Sequence, residues 1–206
     1  YHYLTYSIEK ILPCDYNGDG ISEICLKSTS NGIQVLDKNL NVLFTSYFPW
    51  SEIRVGDING DGKSEILAYS PDESNLVFVS FQSSFSLLRN FTPNIPRHMP
   101  ISKSYFLADL NGDFKDDLVE VFKCFEFFTT SIECFVNYFN GNTFTSDQIP
   151  ISFNGGISDD NFFFIDLDGD TQNEIFYNKN DSISNNQSHI IKVQPDDKSR
   201  FLSDIL

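Results

Sequence analysis

The sequence predicts an all-β chain, and three observations carry that expectation. Short β-branched and aromatic runs recur along the 206 residues, with 21 Phe and 9 Tyr among them, which suits strands packed face to face. Turn-forming residues punctuate those runs, as in Asn31-Gly32 and Asp37-Lys-Asn-Leu-Asn41. No amphipathic helical period stands out, and no run reaches the roughly 18 apolar residues of a membrane-crossing helix. The first strands read as Ile8–Cys14, Glu23–Lys27, Gly32–Asp37 and Val42–Tyr47. Phe91–Ile101 carries Pro93, Pro96 and Pro100 and reads as a connector, since Pro cannot serve a central strand. Asn178–Ser188, rich in Asn, Ser and Asp, reads as an exposed hairpin tip or a disordered loop.

Between strands the chain repeats one acidic segment four times. The copies are Asp15-Tyr-Asn-Gly-Asp-Gly-Ile-Ser-Glu23, Asp57-Ile-Asn-Gly-Asp-Gly-Lys-Ser-Glu65, Asp109-Leu-Asn-Gly-Asp-Phe-Lys-Asp-Asp117 and Asp166-Leu-Asp-Gly-Asp-Thr-Gln-Asn-Glu174. Oxygen-bearing side chains stand at positions 1, 3, 5 and 9, and Gly always holds position 4. A turn binding nothing needs only two or three such residues; it does not need alternating acids and a ninth-position carboxylate in every copy. Oxygens converging on one point suit a hard cation, and calcium takes six to eight of them at roughly 2.3–2.6 Å in irregular geometry.

The expected ligands in the first loop are Asp15, Asn17, Asp19, the main-chain carbonyl of Ile21 and Glu23. The second loop offers Asp57, Asn59, Asp61, the Lys63 carbonyl and Glu65. The third offers Asp109, Asn111, Asp113, the Lys115 carbonyl and Asp117, and the fourth Asp166, Asp168, Asp170, the Gln172 carbonyl and Glu174. About four calcium ions are therefore expected. Position 6 is Gly20, Gly62, Phe114 and Thr171; if it needs positive φ, Phe114 and Thr171 carry strain that Gly avoids. An EF-hand is excluded, because it requires a bidentate Glu at position 12 and flanking helices. Here position 12 is Leu26, Ala68, Glu120 and Tyr177, and the flanks read as strands.

The pattern Asp-x-(Asn/Asp)-Gly-Asp-Gly-x-x-(Glu/Asp)-(Ile/Leu), with Phe114 and Thr171 in place of the second Gly in two copies, resembles the calcium loops of FG-GAP and VCBS repeats. The resemblance covers the chain from about Leu4 onward. No Phe-Gly…Gly-Ala-Pro signature occurs, so the likeness is to the VCBS-like subgroup rather than to integrin α blades. It implies a β-propeller in which each loop belongs to one four-stranded blade. Loop starts at 15, 57, 109 and 166 suit blades of roughly 40–50 residues with variable outer hairpins. The blades span approximately 8–47, 51–90, 103–150 and 161–206, within one domain or segment covering 1–206. Tyr1–Tyr6 would be an outer strand closing onto the last blade, or the tail of a missing one. Tyr1–Leu12 lacks the zones of a secretory signal, so the sequence reads as a mature form or a piece of a longer protein.

Charge supports the cation reading. The net charge is −15, and four divalent ions would bring it to about −7, so metal-site acidity accounts for about half of the excess. Lys and Arg total 14 and never cluster, which argues against nucleic acid as a partner. Four cysteines fall in two near pairs, read as local disulfides Cys14–Cys25 and Cys124–Cys134 of a protein outside the cell or at its surface. Sequons at Asn90, Asn180 and Asn186 are compatible with a secreted glycoprotein. His2, His98 and His189 are scattered and no nucleophile or phosphate-binding motif occurs, so no enzyme activity is expected. Trp50 and surface aromatics offer stacking for sugars, against the commoner role of core packing. The expected function is a calcium-stiffened module for adhesion, protein or glycan binding or scaffolding, without direct membrane insertion. The alternatives are a carbohydrate-binding propeller lectin and a shell or filament segment of a larger surface or toxin-complex protein.

Overall fold

A computed structural model describes residues 7–30, 32–47, 52–69, 76–80, 86–91, 96, 99–126, 129–139, 144–154, 162–179 and 187–191. Of these, 76–80, 86–91, 126, 129–132, 144–154, 177–179 and 187–191 are described by backbone alone. Tyr1–Tyr6, Trp50, His2, His98, Asn180 and Asn186 lie outside the described residues.

The described residues form strands and turns without a helix. Fifteen strands run in chain order: β1 Ile8–Cys14, β2 Glu23–Ser28, β3 Gly32–Leu36, β4 Val42–Tyr47, β5 Glu52–Gly56, β6 Glu65–Tyr69, β7 Leu76–Ser80, β8 Ser86–Phe91, β9 Met99–Ala108, β10 Asp117–Glu126, β11 Thr129–Phe139, β12 Phe144–Asn154, β13 Phe162–Ile165, β14 Glu174–Lys179 and β15 Gln187–Ile191. They make four antiparallel meanders, β1-β2-β3-β4, β5-β6-β7-β8, β12-β11-β10-β9 and β13-β14-β15, each built by successive hairpins. The chain divides into two compact units, Tyr1–Thr92 and Pro93–Leu206, each holding two sheets.

The first sheet follows the sequence reading closely. Its central strands are buried and its outer ones exposed, as in β2 against β4. The β3–β4 turn closes around Asp37, whose Oδ1 accepts the Asn39 and Asn41 N–H groups, both at 2.8 Å. The third sheet begins earlier than expected. Pro100 lies inside β9 rather than in a connector, because β9 is an edge strand and the register slips between Lys123 and Cys124, where Pro100 sits. An edge and a bulge are the two places a sheet tolerates a residue with no N–H.

Within each unit the two sheets pack front to back. In the first unit Cys14, Cys25, Ile33 and Val35 of the first sheet meet Ile53, Ile66 and Ala68 of the second. Cys25 stands two residues after its loop's position 9, whereas Ile66 stands one after, so opposite faces of successive sheets are in contact. The second unit repeats this arrangement. Ala108, Val119, Val121, Cys134 and Val136 of its first sheet meet Phe162 and Ile175 of its second, with Phe106 and Phe164 against them at 5.1 Å between rings. Val119 again lies two residues after position 9 and Ile175 one after.

Register also settles the cysteines, all four of which are free and buried thiols. The β10–β11 hairpin pairs Glu126 with Thr129, which sets Cys124 opposite Ser131 and Cys134 opposite Val121. An offset of three residues is roughly 10 Å along a strand and reverses the face. Cys134 accordingly joins the inter-sheet core, while Cys124 packs with Phe122 and Phe135 on the other side. The expected Cys124–Cys134 disulfide is therefore excluded without backbone movement. Cys14, opposite Glu23, and Cys25, opposite Leu12, share a face two residues out of register. They face each other as thiols, and the hydrogen bond the Cys25 S–H makes to Cys14, added to burial, drives the Cys25 thiol far above its usual range.

Candidate metal centres

All four acidic segments are hairpin turns of one design. The residue before position 1 pairs with position 9 in every case: Cys14 with Glu23, Gly56 with Glu65, Ala108 with Asp117, and Ile165 with Glu174. The position-12 residues Leu26, Ala68, Glu120 and Tyr177 all lie in strands, as the rejection of an EF-hand requires.

The position-1 Asp organises the turn. Asp15 Oδ1 accepts the Gly18 N–H at 2.7 Å and the Asp19 N–H at 3.2 Å, while Oδ2 accepts the Gly20 N–H at 2.8 Å. Asp57 repeats this with Gly60 at 2.7 Å, Asp61 at 3.2 Å and Gly62 at 2.8 Å. Asp109 accepts from Gly112 at 2.7 Å and Phe114 at 2.8 Å, and Asp166 from Gly169 at 2.6 Å and Thr171 at 3.0 Å. Turning three successive N–H groups toward one carboxylate requires left-handed backbone at positions 4 and 6. Position 6 has φ of 77° and 83° at Gly20 and Gly62, and of 63° and 76° at Phe114 and Thr171. The two non-glycine residues therefore sit in the strained region the sequence pointed to, and Phe114 is 73% exposed, with little packing to compensate.

Position 3 and position 5 continue the pattern. Asn17, Asn59 and Asn111 Oδ1 accept the N–H of Asp19, Asp61 and Asp113 at 2.8–2.9 Å. Asp19, Asp61, Asp113 and Asp170 Oδ1 accept the N–H of Ile21, Lys63, Lys115 and Gln172 at 2.8–3.1 Å. The position-9 acid reaches back to position 2: Glu23 to Tyr16 at 2.9 Å, Glu65 to Ile58 at 3.0 Å, Asp117 to Leu110 at 3.1 Å and Glu174 to Leu167 at 2.8 Å.

These bonds hold positions 1, 3, 5 and 9 about one turn, and in the second and third loops the electrostatics record repulsion between their acids. The position-9 acids are buried, Glu65 and Asp117 to 1% exposure. Burial first, then repulsion from Asp61 and Asp57, pushes the Glu65 carboxyl up to about 7. Burial first, then Asp113, Asp109 and Asp116, pushes Asp117 up to about 8. In the second loop the Asn59 amide donates to Glu65 Oε1 at 3.0 Å and Asp61 Oδ2 at 3.4 Å, setting a partial positive charge among the acids. In the fourth, where Asp168 replaces Asn, one oxygen each from Asp166, Asp168 and Glu174 lie within 4.8 Å of one another. An all-oxygen set with a buried anion that resists ionising fits a hard divalent cation.

Position 8 was missed in the sequence. The Ser64 N–H donates to the Asp15 carbonyl at 2.8 Å, and the Asp15 N–H donates back to Ser64 Oγ at 2.9 Å. Asn173 N–H likewise donates to the Asp109 carbonyl at 2.7 Å. Position 8 of one loop thus bonds position 1 of the loop before it, once in each unit. The only signal available was that position 8 is polar in every copy: Ser22, Ser64, Asp116 and Asn173. In comparisons with known proteins, no family model and no curated sequence matches the chain.

Proposed function

We propose that this chain is a calcium-binding β-propeller, or an arc of a larger one, of the VCBS-like type, working outside the cell as an interaction or scaffolding module. One observation carries the reading: four turns repeat one hydrogen-bonding scheme around acids at alternating positions, each with a buried acid at position 9. The packing supports the propeller. Contacts between the front of one sheet and the back of the next are heterologous, so they propagate, and they form a ring when the rotation closes. Calcium is structural here: it would neutralise the acids of each turn and fix the hairpin neck from which the neighbouring strands and loop tips project. The partner would be a protein or a glycan, with sugar binding by a propeller lectin and assembly into a larger shell or filament as the competing outcomes.

Calorimetric titration of the chelator-treated chain with calcium tests the central claim, with about four ions expected. Absence of binding at millimolar calcium would defeat it. A glycan array and a sedimentation measurement on the calcium-loaded chain then separate the lectin and assembly readings from a protein-binding one.

A further inference from the structure

We propose that the loops bind calcium as coupled pairs, with Ser64 acting as the positioning residue that joins the first loop to the second. The inference rests on the calcium reading of the loops and goes beyond it, because four independent sites would satisfy that reading equally well. Two hydrogen bonds in opposite directions hold Ser64 to Asp15, at 2.8 Å and 2.9 Å. Asp15 is position 1, whose carboxylate accepts the N–H groups of Gly18, Asp19 and Gly20 in the first turn. Ser64 lies between Lys63, whose carbonyl is an expected ligand, and Glu65, the buried acid of the second turn. The Lys63 stem also lies over Gly18, where a Cβ would come within 3.0 Å of Lys63 Cγ. Neither loop can reorder its backbone without disturbing the other at a residue flanked by ligands.

The second unit makes the main-chain half of this connection with a different residue at position 8. Asn173 bonds Asp109, and the Gln172 stem lies over Gly112, where a Cβ would come within 3.0 Å of its Cγ. Recurrence with Ser or Asn at position 8, and with Lys or Gln at position 7, shows that the docking follows from loop geometry rather than from one side chain. Ordering one loop then prepays part of the ordering of its neighbour, which gives positive coupling, equal in both directions by linkage.

Tyr16 sits inside the first loop and makes the idea measurable, since a tyrosine beside bound terbium(III) sensitises its emission. Terbium affinity of the first loop is read from that emission in the full chain, with Tyr16→Phe identifying the signal and enough salt to screen surface charge. Asp61→Ala disables the second loop without touching either residue of the Ser64–Asp15 link. Asp61→Asn is the gentler partner variant, keeping an acceptor for the Lys63 N–H. Both should weaken terbium at the first loop, by about fivefold or more for Ala, and Ser64→Ala should shrink that difference. First-loop affinity unchanged by either Asp61 variant overturns the coupling, and a difference that survives Ser64→Ala in full overturns the positioning role of the Ser64 side chain; both leave the calcium reading standing. No Tyr16-dependent emission in the unaltered chain overturns the calcium reading and the coupling together.

Discussion

Stripping the chain of divalent ions should cost it most of its stability. The structure supplies the reason: each turn carries three or four carboxylates, and the one at position 9 is buried in every copy. Taking dissociation constants of roughly 10⁻⁴–10⁻³ M for extracellular calcium modules, an ion concentration ten times the constant stabilises each site by about 1.4 kcal/mol. Each unit carries two loops, which gives about 3 kcal/mol per unit. At roughly 4–8 °C per kcal/mol for a domain of that size, the melting temperature should fall by roughly 10–20 °C. A cooperative transition of the whole chain gives a similar figure, since twice the energy acts on a domain half as sensitive. The assay is thermal unfolding by circular dichroism in millimolar calcium and in excess chelator. Superimposable melting curves would refute the reasoning, because no loop occupied by calcium can leave stability unchanged. Asp61→Ala should hurt more than Asp113→Ala, since the third loop already carries the strain of Phe114 at φ 63°.

The chelated chain should lose stability as pH rises from about 5 to about 8.5, because the fold holds protons on Glu65 to about 7 and Asp117 to about 8 that the unfolded chain has released; the calcium-loaded chain should show no such fall in its melting curve, and a flat profile in chelator would count against the buried-acid geometry. Phe114→Gly should raise stability by about 1 kcal/mol in urea unfolding by relieving left-handed strain, and Gly62→Ala should lower it by a similar amount, since an added Cβ there meets nothing within 4 Å and only φ is at issue. Mild oxidation followed by non-reducing peptide mapping should link Cys14 to Cys25 alone; a Cys124–Cys134 peptide would show that the β10–β11 register is different.

Much of this architecture was legible because local chemistry dictates it. The first sheet's strands could be bounded to within about a residue, since Asp37 and the acidic turn mark the ends by bonds to their own neighbours. Positive φ at position 6 followed from Gly in two copies and held where Phe and Thr replaced it. What could not be read depends on distant partners or on counting. Pro100 is compatible with β9 only because that strand is an edge with a bulge beside it, and neither fact is local. Cys124 and Cys134 look symmetric along the chain, yet the hairpin turns between Glu126 and Thr129, and the off-centre turn sends them to opposite faces. Ser64 meets Asp15 across 49 residues, a contact that no local preference announces.

Sheet packing and the acidic turns meet at position 9. Position 9 begins a strand, and strand alternation places it on the face that carries Cys25 in the first sheet and Val119 in the third, the face that meets the following sheet. Glu23 and Asp117 are buried on that face, and Glu65 and Glu174, on the opposite face of their sheets from Ile66 and Ile175, are buried as well. An apolar residue would be the cheaper occupant of such a position, since an isolated buried carboxylate must either take up a proton or find a cation. On the proposed calcium reading a cation would offset that cost in all four turns, and in the first and third it would do so on the face that packs against the following sheet.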